Sequence, residues 1–199
     1  MDLHGFLRSR RSIRRFAADS VPPEVIDRML TTATFAPSAH NRQPWRFAVV
    51  STASGKSRLA DSMATEYRSD LTADGMAAGR IEALVQKSRA RINAAPLAIV
   101  LCMDLSDMDH YPDPRRALAE RTMALQSTAN AGMTLLLAAH AEGLGGVWSC
   151  GPLFAPRAVI SALALPASWE PQALILLGRA AELPEAGARK PVQAIAVYA

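Results

Sequence analysis

The chain has 199 residues, of which 50% are hydrophobic, 20% charged and 6% aromatic, with two cysteines and a formal net charge of +4. That length suits one domain with a full core, burying roughly 70% of the surface its unfolded state exposes. The hydrophobic fraction excludes a disordered chain, and Cys102 and Cys150 alone exclude a disulfide scaffold or a four-cysteine zinc module.

The start, Met1-Asp2-Leu3-His4-Gly5, has an early acid and no apolar run, so no signal peptide is expected and a cytoplasmic protein is the default. Asp2 to Arg10 suits a short helix. Pro22-Pro23-Glu24 opens a second, with Val25, Ile26, Met29 and Leu30 on one face, since proline is tolerated in a first turn. The β-formers of Arg46–Val50 predict a strand that the polar run from Ser51 ends. Residues 55–69 and 73–93 read as helices. Leu97–Cys102 is apolar at every position, as a strand covered on both faces would be. Val147–Cys150, Ala173–Leu177 and Ile195–Tyr198 are further predicted strands. Helices and strands mix without a regular alternation, which favours an α+β layer in a single domain, 1–199.

Thr122–Ala141 runs uncharged for about the length of a membrane span. Gln126, Asn130 and His140, with Ser127, Thr128 and Thr134, lower its hydropathy, and Arg115, Arg116, Glu120 and Arg121 lead into it. It reads instead as one long helix, 116–141, buried in a core or a subunit interface, with Ala129, Ala131, Gly132, Ala138 and Ala139 permitting close approach. No membrane span is expected.

Several chemistries fail on their spacing. The four histidines are scattered, and no HExxH or paired-cysteine pattern exists. The acidic run Asp104, Asp107, Asp109, Asp113 lacks the alternation, central glycine and closing glutamate of a calcium loop. It reads as a polar loop after a strand. Gly143-Leu-Gly145-Gly146 precedes a strand, not a helix, and is no dinucleotide fingerprint.

Two segments stand out. Of 22 cationic residues 19 are arginine, and Arg8, Arg10, Arg11, Arg14 and Arg15 crowd around Ser12. Guanidinium forks in one tight segment suit a compact phosphate or carboxylate better than nucleic acid, for which a charge of +4 is slight; with the Ser12 hydroxyl they form a natural grip on a phosphate, and a solvated basic face is the rival reading. The second is Ala36-Pro-Ser-Ala-His-Asn-Arg-Gln-Pro-Trp45, a turn-rich loop stiffened by two prolines, whose Ser38, Asn41 and Gln43 could read the edge of a planar heterocycle.

Arg10-Arg-Ser-Ile-Arg-Arg-Phe16 and Pro37-Ser-Ala-His-Asn-Arg-Gln-Pro-Trp45 together resemble the flavin-binding nitroreductase family, whose pattern is R-[RH]-S-x-R-x-F followed by P-S-x-x-N-x-Q-P-W. The likeness continues through the long apolar helix into Ala139–Trp148, and ends at Leu177-Gly178 and Arg189-Lys190-Pro191. It implies a nitroreductase-like α+β fold: a central, mostly antiparallel sheet flanked by helices, and a homodimer along long helices with FMN at the interface. It implies that Arg10, Arg11, Ser12 and Arg14 hold the phosphate and ribityl chain of FMN. Pro37, Ser38, Asn41 and Gln43 would come from the partner subunit and line the ring or ribityl chain. Gly146 and the turn Cys150-Gly151 would set backbone amides near the ring nitrogen that receives hydride, and Arg189 would close on the phosphate.

The implied activity is reduction of nitro compounds, quinones or similar electrophilic acceptors with NAD(P)H as electron donor. No catalytic side chain and no metal is expected, since the chemistry is largely the cofactor's. Ala39 replaces a serine common in relatives. His40 is a candidate proton source, with simple solvation as the rival reading. The resemblance implies that residues 56–95 form a helical cover in which Tyr67, Arg68, Met76 or Arg80 shapes acceptor choice. Alternatives within the fold are deazaflavin coenzyme maturation and flavin fragmentation; outside enzymology, a flavin-binding module.

Overall fold

The computed structural model describes residues 2–199. Its first helix, α1 (Leu3–Ser9), is capped by the Asp2 carboxylate, which accepts from the Gly5 amide at 2.6 Å. α2 (Pro23–Ala33) starts at the proline and buries Ile26, Met29 and Ala33 on one face. Then follow β1 (Trp45–Val50), α3 (Ala53–Ala73), α4 (Ala78–Ala94), β2 (Leu97–Asp104), α5 (Pro114–Ala141), β3 (Gly145–Ser149), α6 (Pro156–Leu163) and β4 (Trp169–Gly178). The break between the two middle helices falls at Asp74-Gly75, where Gly75 has φ +74°. Glycine takes that left-handed conformation without a Cβ clash.

The four strands form one antiparallel sheet in the order β1-β2-β4-β3, so the fold is the α+β arrangement that the sequence implies. The central strands alternate between two cores. Leu97, Ile99, Leu101, Ile175 and Leu177 pack with α2 and α5; Ala98, Val100, Cys102, Leu174 and Leu176 pack with Leu59 and Ala60 of α3, Ile92 of α4 and Val159 of α6. Both faces are covered, which explains the uninterrupted apolar runs.

α5 lies close to the sheet because Gly132 faces it: a Cβ there would meet the Trp148 ring at 2.4 Å and Leu101 at 2.6 Å. Ala131, Ala138 and Ala139 are buried beside it, whereas Ala129 is exposed. The opposite face of α5 leaves Leu118, Leu125 and Met133 in solvent, 66%, 44% and 43% exposed. Among the described residues, no helix is long and apolar enough to cross a membrane.

One predicted strand is absent. Ile195–Tyr198 follows a single 3-10 turn, Val192–Ala194, and pairs with nothing; Ile195, Val197 and Tyr198 are exposed. β-forming residues make a strand only when a neighbouring edge supplies the ladder, and the tail after Glu182 runs clear of the sheet.

Candidate functional site

The arginine-rich segment leaves α1 and runs along the outer edge of the sheet. Ser12 bridges Gly146 in parallel, and the Ile13 amide donates to the Gly146 carbonyl at 3.0 Å. Phe16 bridges Ala180, with Ala17 donating to Arg179 and Ala181 donating to Arg15. Ile13 is 3% exposed and packs where Gly145 has no side chain: a Cβ at Gly145 would lie 2.3 Å from it. Gly146 is pinned similarly, between Leu136 and Leu177. These contacts fix the backbone while Ser12, Arg10 and Arg11 stay half-buried and Arg14 is exposed.

Charge is left over here. Arg15 pairs with Glu182 at 3.3 Å. Among the described residues, Arg11 donates only to the carbonyls of Arg8 and Arg10, and Arg14 only to that of Ser12, at 3.4 Å. Among the described residues, no carboxylate lies within ion-pair distance of Arg10, Arg11 or Arg14. A cluster of guanidiniums beside a hydroxyl, unmatched by acid, fits a multiply charged anion. Arg189 sits in the exposed tail and donates to the carbonyls of Gly187 and Ala188, not to the cluster.

The loop before β1 is held differently. His40, Asn41 and Gln43 all have positive φ, between 49° and 54°. Left-handed backbone costs a residue with a side chain roughly 1–2 kcal/mol, so something must hold it. The Ala39 backbone amide donates to Ser127 Oγ at 3.1 Å, Asn130 Nδ2 donates to the Pro37 carbonyl at 3.3 Å, and the Gln43 backbone amide donates to Ser38 Oγ at 3.2 Å. Gln43 Nε2 donates to Asn41 Oδ1 at 3.1 Å. Pro37, Ser38 and Ala39 thus line a concavity of about 300 Å³ with Met123, Gln126 and Asn130 of α5. It adjoins the helix face that exposes Leu125 and Met133. His40 is exposed at the loop's crest.

One chain does not unite these two segments. The loop enters edge strand β1 opposite Met103, whereas Ser12 flanks the other edge strand, β3, where Gly146 aligns through Leu177 with Leu97. At about 4.8 Å between strands and about 3.4 Å per residue, the corners are roughly 14 Å apart across the sheet and about 20 Å apart along it. They are diagonal corners, with the core between them.

Cys150 and Gly151 lie past the last β3–β4 pair, Ser149 with Leu174, at the other end of β3 from Ser12. Cys150 is exposed and its Sγ accepts from Trp148 Nε1–H at 3.3 Å. Cys102, by contrast, is buried in the sheet, and burial pushes its thiol up to about 12. Gly151 borders a cavity of about 500 Å³ between α3 and α4, lined by Met63, Tyr67, Leu71, Leu84 and Phe154. Of the expected cover residues, Tyr67 lines this cavity, Arg68 pairs with Glu82 at 2.9 Å and Met76 packs on the small core between α3 and α4. Arg80 is exposed on α4 and does not line the cavity.

The sequence did not reveal what holds the loop. Ser127 and Asn130 are 88 and 93 residues from their partners, and nothing local marks such contacts.

This antiparallel α+β fold, with Arg10, Arg11 and Arg14 beside Ser12 meeting no carboxylate among the described residues, defines a candidate anion- and cofactor-binding protein. The model of the nitroreductase family matches residues 7–179, and the chain belongs to that family. YfhC of Bacillus subtilis (strain 168), provisionally named an NAD(P)H nitroreductase, is 29% identical over 194 residues, 96% of this chain and 91% of its own length. The 5,6-dimethylbenzimidazole synthase of Rhodospirillum rubrum is 31% identical over 177 residues, 85% and 77% of the two chains. The crystal structure of a nitroreductase-like protein from Desulfovibrio desulfuricans in complex with FMN superimposes with a TM-score of 0.75 at 24% identity, covering 100% of this chain and 97% of that one.

Proposed function

We propose that this chain is an FMN-dependent oxidoreductase. It takes a hydride from NAD(P)H and delivers two electrons to a nitro compound, quinone or similar electrophilic acceptor, in ping-pong order. It works as a single-domain homodimer with two FMN sites between the subunits. The observation that carries this reading is the diagonal separation of the two motifs. The site is complete only when a second copy brings its loop to the first copy's arginines, and the loop borders the exposed apolar stripe of α5 that such a copy would cover. A stripe of that kind is characteristic of a contact surface.

The residues fit FMN. Arg10, Arg11, Ser12 and Arg14 supply charge-assisted and hydroxyl bonds for its terminal phosphate and ribityl chain, and Arg189 closes from the tail. From the partner, Pro37, Ser38, Asn41 and Gln43 line the ring or ribityl chain. Cys150 and Gly151 present backbone amides where the ring gains negative charge, while Gly146 meets the cofactor at the Ser12 end of β3, and preorganised donors of the first kind are the main protein contribution to such a step. FMN when bound supplies the two-electron chemistry; the chain places donor and acceptor and excludes rivals. The cavity under Tyr67 and Phe154, next to Gly151, is the candidate acceptor site.

A second reading, flavin fragmentation, is favoured by the 31% identity to 5,6-dimethylbenzimidazole synthase. Anaerobic mixing with NADH and with NADPH separates the two. Rapid bleaching of the bound flavin supports the reductase. No bleaching with either contradicts it, and oxygen-dependent loss of the flavin itself establishes the fragmenting branch.

A further inference from the structure

The acidic run that fits no calcium loop has partners. Among the described residues, no group of three or more acidic, histidine or cysteine side chains could hold a metal. Instead its first three carboxylates meet arginines of the Pro37–Trp45 region and the strand it enters. Asp109 Oδ1 accepts from Arg42 Nη2 at 2.5 Å. Asp107 Oδ2 accepts from Arg46 Nη2 at 3.4 Å, and Asp104 Oδ2 lies 3.6 Å from Arg46 Nε. Arg46 Nη1 donates in turn to the Gln43 carbonyl at 3.1 Å, and the Asp104 amide donates to the Pro44 carbonyl at 2.8 Å. Asp109 is itself anchored, its amide donating at 3.2 Å to Oε1 of Glu120, which is 3% exposed. The fourth acid, Asp113, caps α5 instead.

We propose that this acidic loop is a two-armed clamp on the flavin-lining loop. Asp109 acts through Arg42, and Asp104 with Asp107 acts through Arg46, to hold His40, Asn41 and Gln43 in the left-handed backbone that presents Asn41 and Gln43. This rests on the flavin reading of the site. The acids are positioning residues: they touch no part of the cofactor and set the loop that does. One ion pair on Arg42, inside the stretch with three positive φ angles, and two on Arg46, which in turn donates to the Gln43 carbonyl, are what a preorganised binding loop needs, because a loop free to relax would have to be reordered on every binding event.

The test compares Arg42→Ala, Asp109→Ala and the double variant, with Asp109→Glu as the conservative control and Asp109→Asn should the alanine variant fold poorly. FMN and riboflavin are titrated into each apo-dimer, and amide hydrogen exchange is followed over residues 38–44. Exposed ion pairs of this kind correspond to about two- to fivefold in an equilibrium constant. FMN and riboflavin should therefore weaken together by about that factor, since the loop is assigned to ring and ribityl and not to the phosphate. The double variant should be no worse than either single one, Asp109→Glu should restore affinity, and loop exchange should quicken while the melting temperature stays put. Unchanged affinity for both flavins with unchanged loop exchange overturns the clamp alone. A wild-type chain that binds neither flavin overturns the flavin reading and the clamp together.

Discussion

Arg14→Ala isolates the phosphate grip. In the folded chain Arg14 is exposed, meets no carboxylate among the described residues and makes one long bond to the Ser12 carbonyl, 3.4 Å. Truncating it therefore orphans no buried group, and the fold should be untouched. Its value should appear only when an anion is present. A charge-assisted bond to a phosphate contributes about 1.5–3 kcal/mol, which is roughly ten- to a hundredfold in affinity. FMN should weaken by that factor, and the loss should shrink as salt screens the exposed charge. Riboflavin, which has no phosphate, should bind within about twofold of its wild-type affinity. Titrating both flavins into wild-type, Arg14→Ala and Arg189→Ala apoprotein, and following flavin fluorescence, gives each number directly. Parallel losses for the two flavins would mean that the arginines are structural. No loss for either would mean a merely solvated basic face, and both results would sink the site assignment.

Two further outcomes follow from the same geometry. Leu125→Glu or Met133→Glu places a charge on the exposed apolar stripe of α5, so the dimer should fail and give aggregates or unfolded chains; a stable, flavin-loaded monomer in sedimentation would contradict the interface. Burial alone would raise the Asp104 carboxyl, but bonds from Ser106, the charge of Arg46 and the Ser168 hydroxyl outweigh it and hold it below its ordinary value. A depressed folded-state pKa gives stability that is present above the unfolded value, about 3.9, and lost as pH falls through the lower folded one. Asp104→Asn should therefore destabilise at neutral pH and converge with wild type in acid, as followed by chemical denaturation; a constant difference down to strong acid would refute the assignment.

The fold was legible where periodicity and composition agree. The all-apolar Leu97–Cys102 became the central β2, and the uncharged run from Thr122 became α5, because a strand covered twice and a helix between sheet and solvent-facing stripe need those patterns. Ile195–Tyr198 misled, since its β-formers have no edge to pair with. The two helices α3 and α4 were foreseen, although their boundary at Asp74-Gly75 moved. The two motifs were legible by resemblance, whereas their diagonal placement was not: strand order is a long-range property, and β4 inserts between β2 and β3. The same holds for the acidic loop, whose arginine partners lie 61 and 67 residues away.

The central claim is that each flavin site combines the arginines of one copy with the loop of another. Subunit complementation tests it most directly. An Arg14→Ala chain and an Asn41→Ala/Gln43→Ala chain are each made, titrated with FMN, then mixed and reassociated. In a mixed dimer of two-fold design one site carries both lesions and the other carries none, so with random pairing about a quarter of all sites should regain wild-type affinity. A mixture whose binding is only the average of its two parents, with no tight sites recovered, would show that loop and arginines act within one chain and would contradict the account.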